Sequence, residues 1–202
     1  MKNKILIIAV ILIVLAAGIG IGIYFSKNNE ITGAEQEIVK SGEESQPNQN
    51  NILATADFSL NKPAGWREVP APTGVSAMVV NADEEIIDEA VKKINFKSYL
   101  SIGYDTFNGR SEEEYVKYIK DSLVQAVPGI IFTDEKSNVI GDKNFYFIES
   151  EVNQKGADFK VLIVLIKGKN NDVWTISFNT TKNYWPNYKD LFYQTAQSFK
   201  LK

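Results

Sequence analysis

The chain has 202 residues, a formal net charge of −3, and neither cysteine nor histidine. Disulfides, Ser-His-Asp or Cys-His catalytic groups, and metal sites built from imidazole or thiolate ligands are therefore excluded within it. The near-neutral charge and the presence of only two arginines, Arg67 and Arg110, argue against nucleic-acid binding.

The first predicted element is a membrane anchor. Residues Ile5–Phe25 carry no charge, and at about 1.5 Å per residue they span a hydrocarbon core of roughly 30 Å. Lys2 and Lys4 precede this run, so the positive-inside rule places the N-terminus in the cytoplasm and the rest of the chain outside. A signal peptide is the alternative, with Ala16–Gly18 resembling a cleavage site, but its apolar region would be only about 7–15 residues long. We therefore assign residues 1–27 to a cytoplasmic tip and an uncleaved anchor, which binds the lipid bilayer.

An acidic linker is predicted next, over residues 28–54. It contains no aromatic residue and carries five glutamates against one lysine. Such a segment cannot bury enough apolar surface to offset the entropy lost on folding. As a flexible chain it would extend about 25–30 Å root-mean-square, which would hold the remaining domain, residues 55–202, near the membrane.

The first half of this domain is predicted to be mostly strands. An alternating run at Phe58–Leu60 is followed by a turn, after which Trp66 is expected to pack on the core. Ser76–Val80 is a second short apolar run. Helical spacing and charge order predict a helix over Asp83–Lys93, and the period then changes to two, which predicts a long strand over Ile94–Asp105.

The second half contains the strongest helix signal. Ser111 and Glu114 form a capping box, and the apolar face that follows ends at Val127. Four strands with short polar turns are predicted next, at Ile130–Asn138, Asn144–Val152, Phe159–Lys167 and Val173–Phe178. Val161–Ile166 is apolar on both faces and is expected to be a central strand. A last helix over Trp185–Ser198 and a short closing strand complete the chain.

This order predicts an α+β fold, an antiparallel sheet with helices packed on it in two or three layers. The opening pattern Phe58-Ser59-Leu60-x-x-Pro63-x-Gly65-Trp66 and the closing Ser198-Phe199-Lys200 resemble the PsbP-like family over residues 55–202. The resemblance implies an α/β/α sandwich around an antiparallel sheet, here preceded by one N-terminal transmembrane helix.

The resemblance also implies a function. The family's founding member is an extrinsic, non-enzymatic subunit of photosystem II, and many bacterial relatives are exported or membrane-tethered. We therefore expect a membrane-anchored, extracytoplasmic binding or assembly module that uses no cofactor and has a protein or envelope partner. Two alternatives stay open: an exported hydrolase that uses only carboxylates, and a calcium- or ligand-binding module.

Two candidate contact sites follow from the residues. Tyr184, Trp185 and Tyr188 form an aromatic cluster at the start of the last helix. They would either contact a partner, since tyrosine and tryptophan dominate interface energetics, or cover the sheet edge. Arg110 follows the Asn108-Gly109 turn and is either an anion-binding residue or a plain surface arginine.

Acidic residues offer weaker sites. The cluster of Asp83, Glu84, Glu85, Asp88 and Glu89 has oxygens that calcium accepts, but negative charge is also usual at the start of a helix. Glu112, Glu113 and Glu114 are likewise expected at a helix N-terminus, and a glycosidase would need two such groups across a cleft. Asn179-Thr180-Thr181 matches the N-glycosylation pattern. We assign no catalytic, cofactor or metal residue.

Overall fold

The computed structural model describes residues 51–202, which form ten strands and three helices. In chain order these are β1 (Ile52–Ala54), β2 (Phe58–Asn61), β3 (Arg67–Val69), β4 (Ala77–Val80), α1 (Glu89–Lys93), β5 (Tyr99–Thr106), α2 (Glu112–Ala126), β6 (Ile131–Ile140), β7 (Lys143–Gln154), β8 (Ala157–Lys167), β9 (Asp172–Thr181), α3 (Trp185–Gln197) and β10 (Lys200–Leu201). The predicted anchor and most of the predicted linker lie outside the described residues. None of the helices in residues 51–202 has both the length and the apolar character needed to cross a bilayer.

Seven strands form one antiparallel sheet in the order β3-β4-β5-β9-β8-β7-β6, and β1, β2 and β10 form a small second sheet. The β7–β8 hairpin is the longest pairing, running from Gln154 opposite Ala157 to Phe145 opposite Ile166. β8 is buried on both faces from Phe159 to Ile166, as its two-sided apolar pattern predicts.

The two faces of the large sheet are covered by different elements. On one face, α3 and the small sheet pack over β5 and β7–β9 around Phe192, whose ring stacks on Phe178 at 4.8 Å. On the other face, Tyr115, Ile119 and Leu123 of α2 pack over β7–β9. Helices on both faces give three layers, which decides between the two arrangements that the sequence left open.

The strongest local signals place their elements as predicted. The Ser111 hydroxyl accepts a hydrogen bond from the Glu114 N–H, and the Glu114 carboxylate accepts one from the Ser111 N–H, so α2 begins with a complete capping box. Asn108 and Gly109 both have positive φ, as their predicted turn requires. Trp66 is buried against the core.

The boundaries differ most between residues 83 and 99. α1 spans only Glu89–Lys93, because Asp88 accepts hydrogen bonds from the Ala90 and Val91 N–H groups and so fixes the helix start. The predicted strand from Ile94 begins only at Tyr99, since Asn95 has φ of +50° and the chain turns there. β1 lies inside the range assigned to the linker, because Leu53 packs into the core beside β2.

Candidate functional site

The predicted aromatic cluster lies where β9 leads into α3. Pro186 occupies the first turn of α3, where its missing N–H costs nothing. We name Tyr184, Trp185 and Tyr188 the aromatic surface; all three side chains are half-buried. The rings of Trp185 and Tyr188 pack on Phe192, which anchors α3 to the sheet, and the ring of Tyr184 packs on Tyr188. The aromatic surface is therefore partly a cover for the core.

Both tyrosines of the aromatic surface are hydrogen-bonded to the loop between β4 and α1. The Tyr188 hydroxyl donates to Glu84 Oε1 at 2.7 Å and accepts from Asn81 Nδ2 at 2.9 Å. Burial, followed by the bond to Glu84, raises the pKa of Tyr188 well above its ordinary value. The Tyr184 hydroxyl donates to the carbonyl oxygen of Glu85 at 2.6 Å. These hydroxyls are committed to holding α3 against the loop.

Trp185 differs from its two neighbours. Its ring lies 6.1 Å from that of Phe192, and its indole N–H makes no hydrogen bond within residues 51–202. The ammonium groups of Lys160 and Lys189 lie 5.5 and 5.8 Å from the ring centroid, within the range of cation–π attraction. Of the three predicted aromatic contacts, Trp185 thus keeps a polar group available to a partner.

A group of charges lies beneath Trp185. We name Glu149, Glu151, Lys160, Lys182 and Lys189 the charge cluster. Glu149 and Lys160 are only 3% and 5% exposed, and their charged atoms lie 3.2 Å apart. Glu149 also accepts from Lys189 and from the Tyr193 hydroxyl, each at 3.0 Å.

The outer part of the charge cluster completes the pairing. Lys160 reaches Glu151 at 3.4 Å and Thr133 Oγ1 at 2.5 Å, and Lys182 reaches Glu151 at 2.7 Å. Burial acts to raise the pKa of Glu149, but the bonds from Lys189, Tyr193 and Lys160 outweigh it and the net shift is downward. The bond from Lys182 is the main cause of the lowered pKa of Glu151. Both carboxyl groups are held as anions.

Arg110 makes contacts within the domain. Its guanidinium lies 4.3 Å from the Tyr118 ring centroid and donates to the Phe107 carbonyl oxygen at 3.4 Å. It is half-buried rather than fully exposed. This position closes the turn before α2, and whether Arg110 also binds an anion stays a prediction.

A groove of about 660 Å³ opens between α2 and the β6–β7 hairpin, and both Glu112 and Glu113 line it. Glu112 accepts from Lys167 at 2.6 Å and from Asn144 at 3.0 Å, one bond to each oxygen. The bond from Lys167 is the largest cause of its lowered pKa. Because Glu112 is held as an anion by both oxygens, it is poorly placed to act as a general acid.

The acidic cluster before α1 is divided among protein partners. Arg67 pairs with Asp83 at 2.8 Å, Asp88 caps α1, and Glu89 pairs with Lys92 at 2.7 Å. Glu84 is buried and accepts from the Ser98 N–H at 2.6 Å and the Ser98 hydroxyl at 2.7 Å. Within residues 51–202 no group of three or more acidic side chains is arranged to hold a metal ion.

One feature was missed from the sequence, and one motif to which little weight was given is buried. The charge cluster was missed, although Glu149 and Glu151 follow Phe145 and Phe147 at alternate positions of one strand, a pattern that points two carboxylates at the covered face. The sequon at Asn179 lies inside β9, and Asn179 is only 3% exposed. A glycan would not fit there.

The sequence model of the PsbP family matches residues 54–201. This chain belongs to the PsbP family. Its PsbP domain is similar to cyanobacterial PsbP from Synechocystis sp. PCC 6803, with 14% identity, 80% of this chain and 98% of that chain covered, and a TM-score of 0.52. It is also similar to LpqN, described as involved in cell envelope biogenesis of Mycobacterium tuberculosis, with 13% identity, coverage of 72% and 83%, and a TM-score of 0.52.

A third similar structure is PA94 from Pseudomonas aeruginosa, a protein of unknown function, with 15% identity, coverage of 73% and 93%, and a TM-score of 0.51. At these identities the likeness shows the fold alone. Comparison with curated proteins gives no match. The family resemblance drawn from the sequence is thus confirmed over the described domain.

Proposed function

We propose that the chain is a single-pass membrane protein whose PsbP domain lies outside the cytoplasm, binds a protein or envelope component there, and catalyses no reaction. The observation that carries this proposal is the family match over almost all of the described domain. The uncharged run after Lys2 and Lys4 supports the location. LpqN shares the fold and is described as involved in cell envelope biogenesis, which agrees with an envelope partner.

The environments of Glu112 and Glu149 favour binding over catalysis. A carboxylate-based hydrolase needs a general acid with a raised pKa and a second, ionised carboxylate across a cleft. Glu112 in the groove beside α2 and Glu149 beneath α3 instead have lowered pKa values and bonds from lysine. Such groups stabilise the fold and shape its surface.

We place the partner contact at Trp185. The ring is rigid and amphipathic, its N–H is unused within the described domain, and lysines flank it. A half-exposed tryptophan of this kind is the usual anchor of a protein interface. Tyr184, Tyr188 and Arg110, whose polar groups already bind within the domain, would contribute shape rather than hydrogen bonds.

The location is tested by cysteine labelling, because the chain has no cysteine of its own. In intact cells, a membrane-impermeant maleimide should label an Asn183→Cys variant of the full-length chain, since Asn183 is exposed beside α3. The matched Asn3→Cys variant, on the cytoplasmic side of the anchor, should be labelled only after lysis. The opposite pattern would refute the proposed orientation.

The partner contact is tested by crosslinking in the same cells. An amine-reactive crosslinker should join Lys182 or Lys189 of the full-length chain to a discrete neighbour. We expect Trp185→Ala to reduce that product at least about fivefold, since anchor residues carry most of the binding energy. The control Val124→Ala, on the exposed side of α2, should leave the product unchanged. An equal yield from Trp185→Ala would refute the assignment of the contact.

A further inference from the structure

A second cavity lies at the opposite end of β9 from Trp185. It has a volume of about 470 Å³ and opens beside the β8–β9 turn. We name it the turn cavity; it is lined by Asp57, Ser76, Tyr104, Lys169, Asp172 and Trp174. Since β9 runs ten residues from Asp172 to Thr181, at about 3.3 Å per residue, the two sites are separate.

Tyr104 presents a fixed aromatic ring at the mouth of the turn cavity. The side chain is 42% exposed, yet its hydroxyl donates to Asp172 Oδ1 at 2.8 Å and its ring lies edge-on to Trp174 at 5.1 Å. That bond from Tyr104 leaves the second carboxylate oxygen of Asp172 without a partner in the described domain. A ring held by two contacts while it stays in solvent is a preformed surface for a ligand.

Trp174 adds an unused donor. The residue is only 6% exposed, and its indole N–H makes no hydrogen bond within residues 51–202. Trp174 lines the turn cavity, where a ligand could supply the missing acceptor.

Gly168 permits this placement of the indole. A Cβ atom at Gly168 would lie 3.2 Å from Trp174 Cδ1 and 3.3 Å from Nε1, and 2.8 Å from the Cβ of Asp172. The pyrrole edge of Trp174 thus packs directly against the backbone of the turn. Any larger residue at this position would push the ring or the turn aside.

The acidic and basic side chains that line the turn cavity are equal in number. Asp57 and Asp172 are matched by Lys169 and Lys202, which also lines the cavity. Lys169 donates to the main-chain oxygen of Lys202 at 2.6 Å, and Lys202 donates to the carbonyl oxygen of Thr55. Both ammonium groups are already bonded to main-chain oxygens, and the lining side chains carry no excess of either charge, which favours a neutral ligand.

We propose that the turn cavity binds a neutral saccharide unit. Hydroxyl groups both donate and accept, so they match the free carboxylate oxygen of Asp172 and the indole N–H of Trp174 together. The apolar C–H face of a sugar ring would pack on the exposed ring of Tyr104. The volume falls in the range of small-ligand sites. This site does not depend on the partner contact at Trp185.

The test uses the full-length protein in micelles of a detergent without a sugar headgroup. Saturation-transfer difference NMR is recorded with glucose, galactose, N-acetylglucosamine and their β-1,4 disaccharides as probes, and with linear sorbitol and choline as controls. We expect transfer to at least one cyclic saccharide with a Kd of about 1 mM, as for a ligand with few contacts. Neither control should show transfer.

Variants then locate the site. Tyr104→Ala and Asp172→Asn should each weaken saccharide binding about tenfold, the loss expected for one ring contact or charged hydrogen bond. The surface control Lys117→Ala on α2 should bind like the wild type. A cooperative urea unfolding transition like that of the wild type shows that each variant is folded. Three outcomes would each overturn the proposal: transfer to no saccharide, wild-type binding by both cavity variants, or transfer to choline instead.

Discussion

Replacing Lys160 with methionine removes the cation at the centre of the charge cluster and keeps most of the side-chain volume. Removing one partner of a buried ion pair typically costs about 3–5 kcal/mol, because the other charge is left unpaired. Here Glu149 retains Lys189 and Tyr193, each at 3.0 Å, so we expect a loss near the lower limit, about 3 kcal/mol. Domains of this kind have a total stability of about 5–15 kcal/mol.

Substitution of the partner, Glu149, and the double variant make this prediction more specific. Glu149→Gln leaves the buried ammonium of Lys160 with Glu151 at 3.4 Å and Thr133 at 2.5 Å, so its cost should also be about 3 kcal/mol. In Lys160→Met with Glu149→Gln neither charge is stranded. The combined loss should therefore be smaller than the sum by about 2 kcal/mol.

Urea unfolding of the full-length chain in micelles measures these values. All three tryptophans, Trp66, Trp174 and Trp185, lie in the described domain, so intrinsic fluorescence reports its unfolding alone. Lys182→Met is the matched control: that lysine is 54% exposed and also bonds to Glu151, and its loss should cost at most about 1 kcal/mol. Strictly additive single and double variants, or a Lys160→Met no worse than this control, would refute the reasoning.

The same titrations at lower pH check the electrostatic part. The folded pKa of Glu149 is lowered relative to the unfolded chain, so its pairing stabilises the fold above the unfolded carboxyl pKa of about 4.3. That stabilisation is lost as the pH falls from there through the folded pKa. As the pH is lowered from 5 to the point where the domain unfolds, the free energy of unfolding should therefore fall less in Glu149→Gln than in the wild type. Parallel losses would show that other groups control the acid response.

Three further substitutions test other parts of the fold by urea unfolding. Tyr99→Phe should raise the free energy of unfolding by about 1 kcal/mol, because the hydroxyl is buried without a partner; a loss would mean that the hydroxyl is hydrogen-bonded. Ser111→Ala should lower it by about 1 kcal/mol through loss of the capping box with Glu114, while no change would mean that water replaces the cap. Gly168→Ala should lower it by about 1–3 kcal/mol because its Cβ meets Asp172 at 2.8 Å, and native stability would show that the turn relaxes.

The elements that the sequence predicted well are those with a repeated signal. In β7 and β9 large apolar residues alternate with smaller or polar ones, β8 is apolar on both faces, and α2 has a complete capping box followed by an apolar face. In such segments successive residues follow the same hydrophobic period, so many weak local signals agree on whether the segment is a helix or a strand. The family resemblance then supplied the layer arrangement.

The segment between residues 83 and 99 was predicted poorly for a specific reason. Its helical spacing is real, but Glu84 is drawn to Ser98 and Tyr188, and Ile86 is buried while Ile87 is exposed. These contacts are made with residues far along the chain, so no local pattern encodes them. Only Asp88, an N-cap residue by type, marks where α1 begins.

The candidate sites were harder still, because they depend on which residues meet across the sheet. Lys160 lies directly opposite Glu151 in the β7–β8 register, and the register becomes readable only when the turn at Lys155-Gly156 is fixed. The turn cavity brings together β5, β9 and the segment after β1. None of its residues is close to all the others in sequence.

The aromatic surface shows why residue type alone does not identify a contact. Tyr188 and Trp185 are equally half-buried, but the Tyr188 hydroxyl is bonded to the buried Glu84 and Trp185 has no such bond. Substituting Tyr188 would leave a buried carboxylate with one donor fewer, a cost to folding of about 1–3 kcal/mol, and any loss of binding would follow from that. Substituting Trp185 removes a ring and an N–H that the described domain does not require for hydrogen bonding. The Trp185 ring packs on Phe192, so its removal costs packing, but it leaves no buried carboxylate short of a donor. A binding defect larger than the measured loss of stability is therefore expected at Trp185, and this difference separates a contact residue from a structural one.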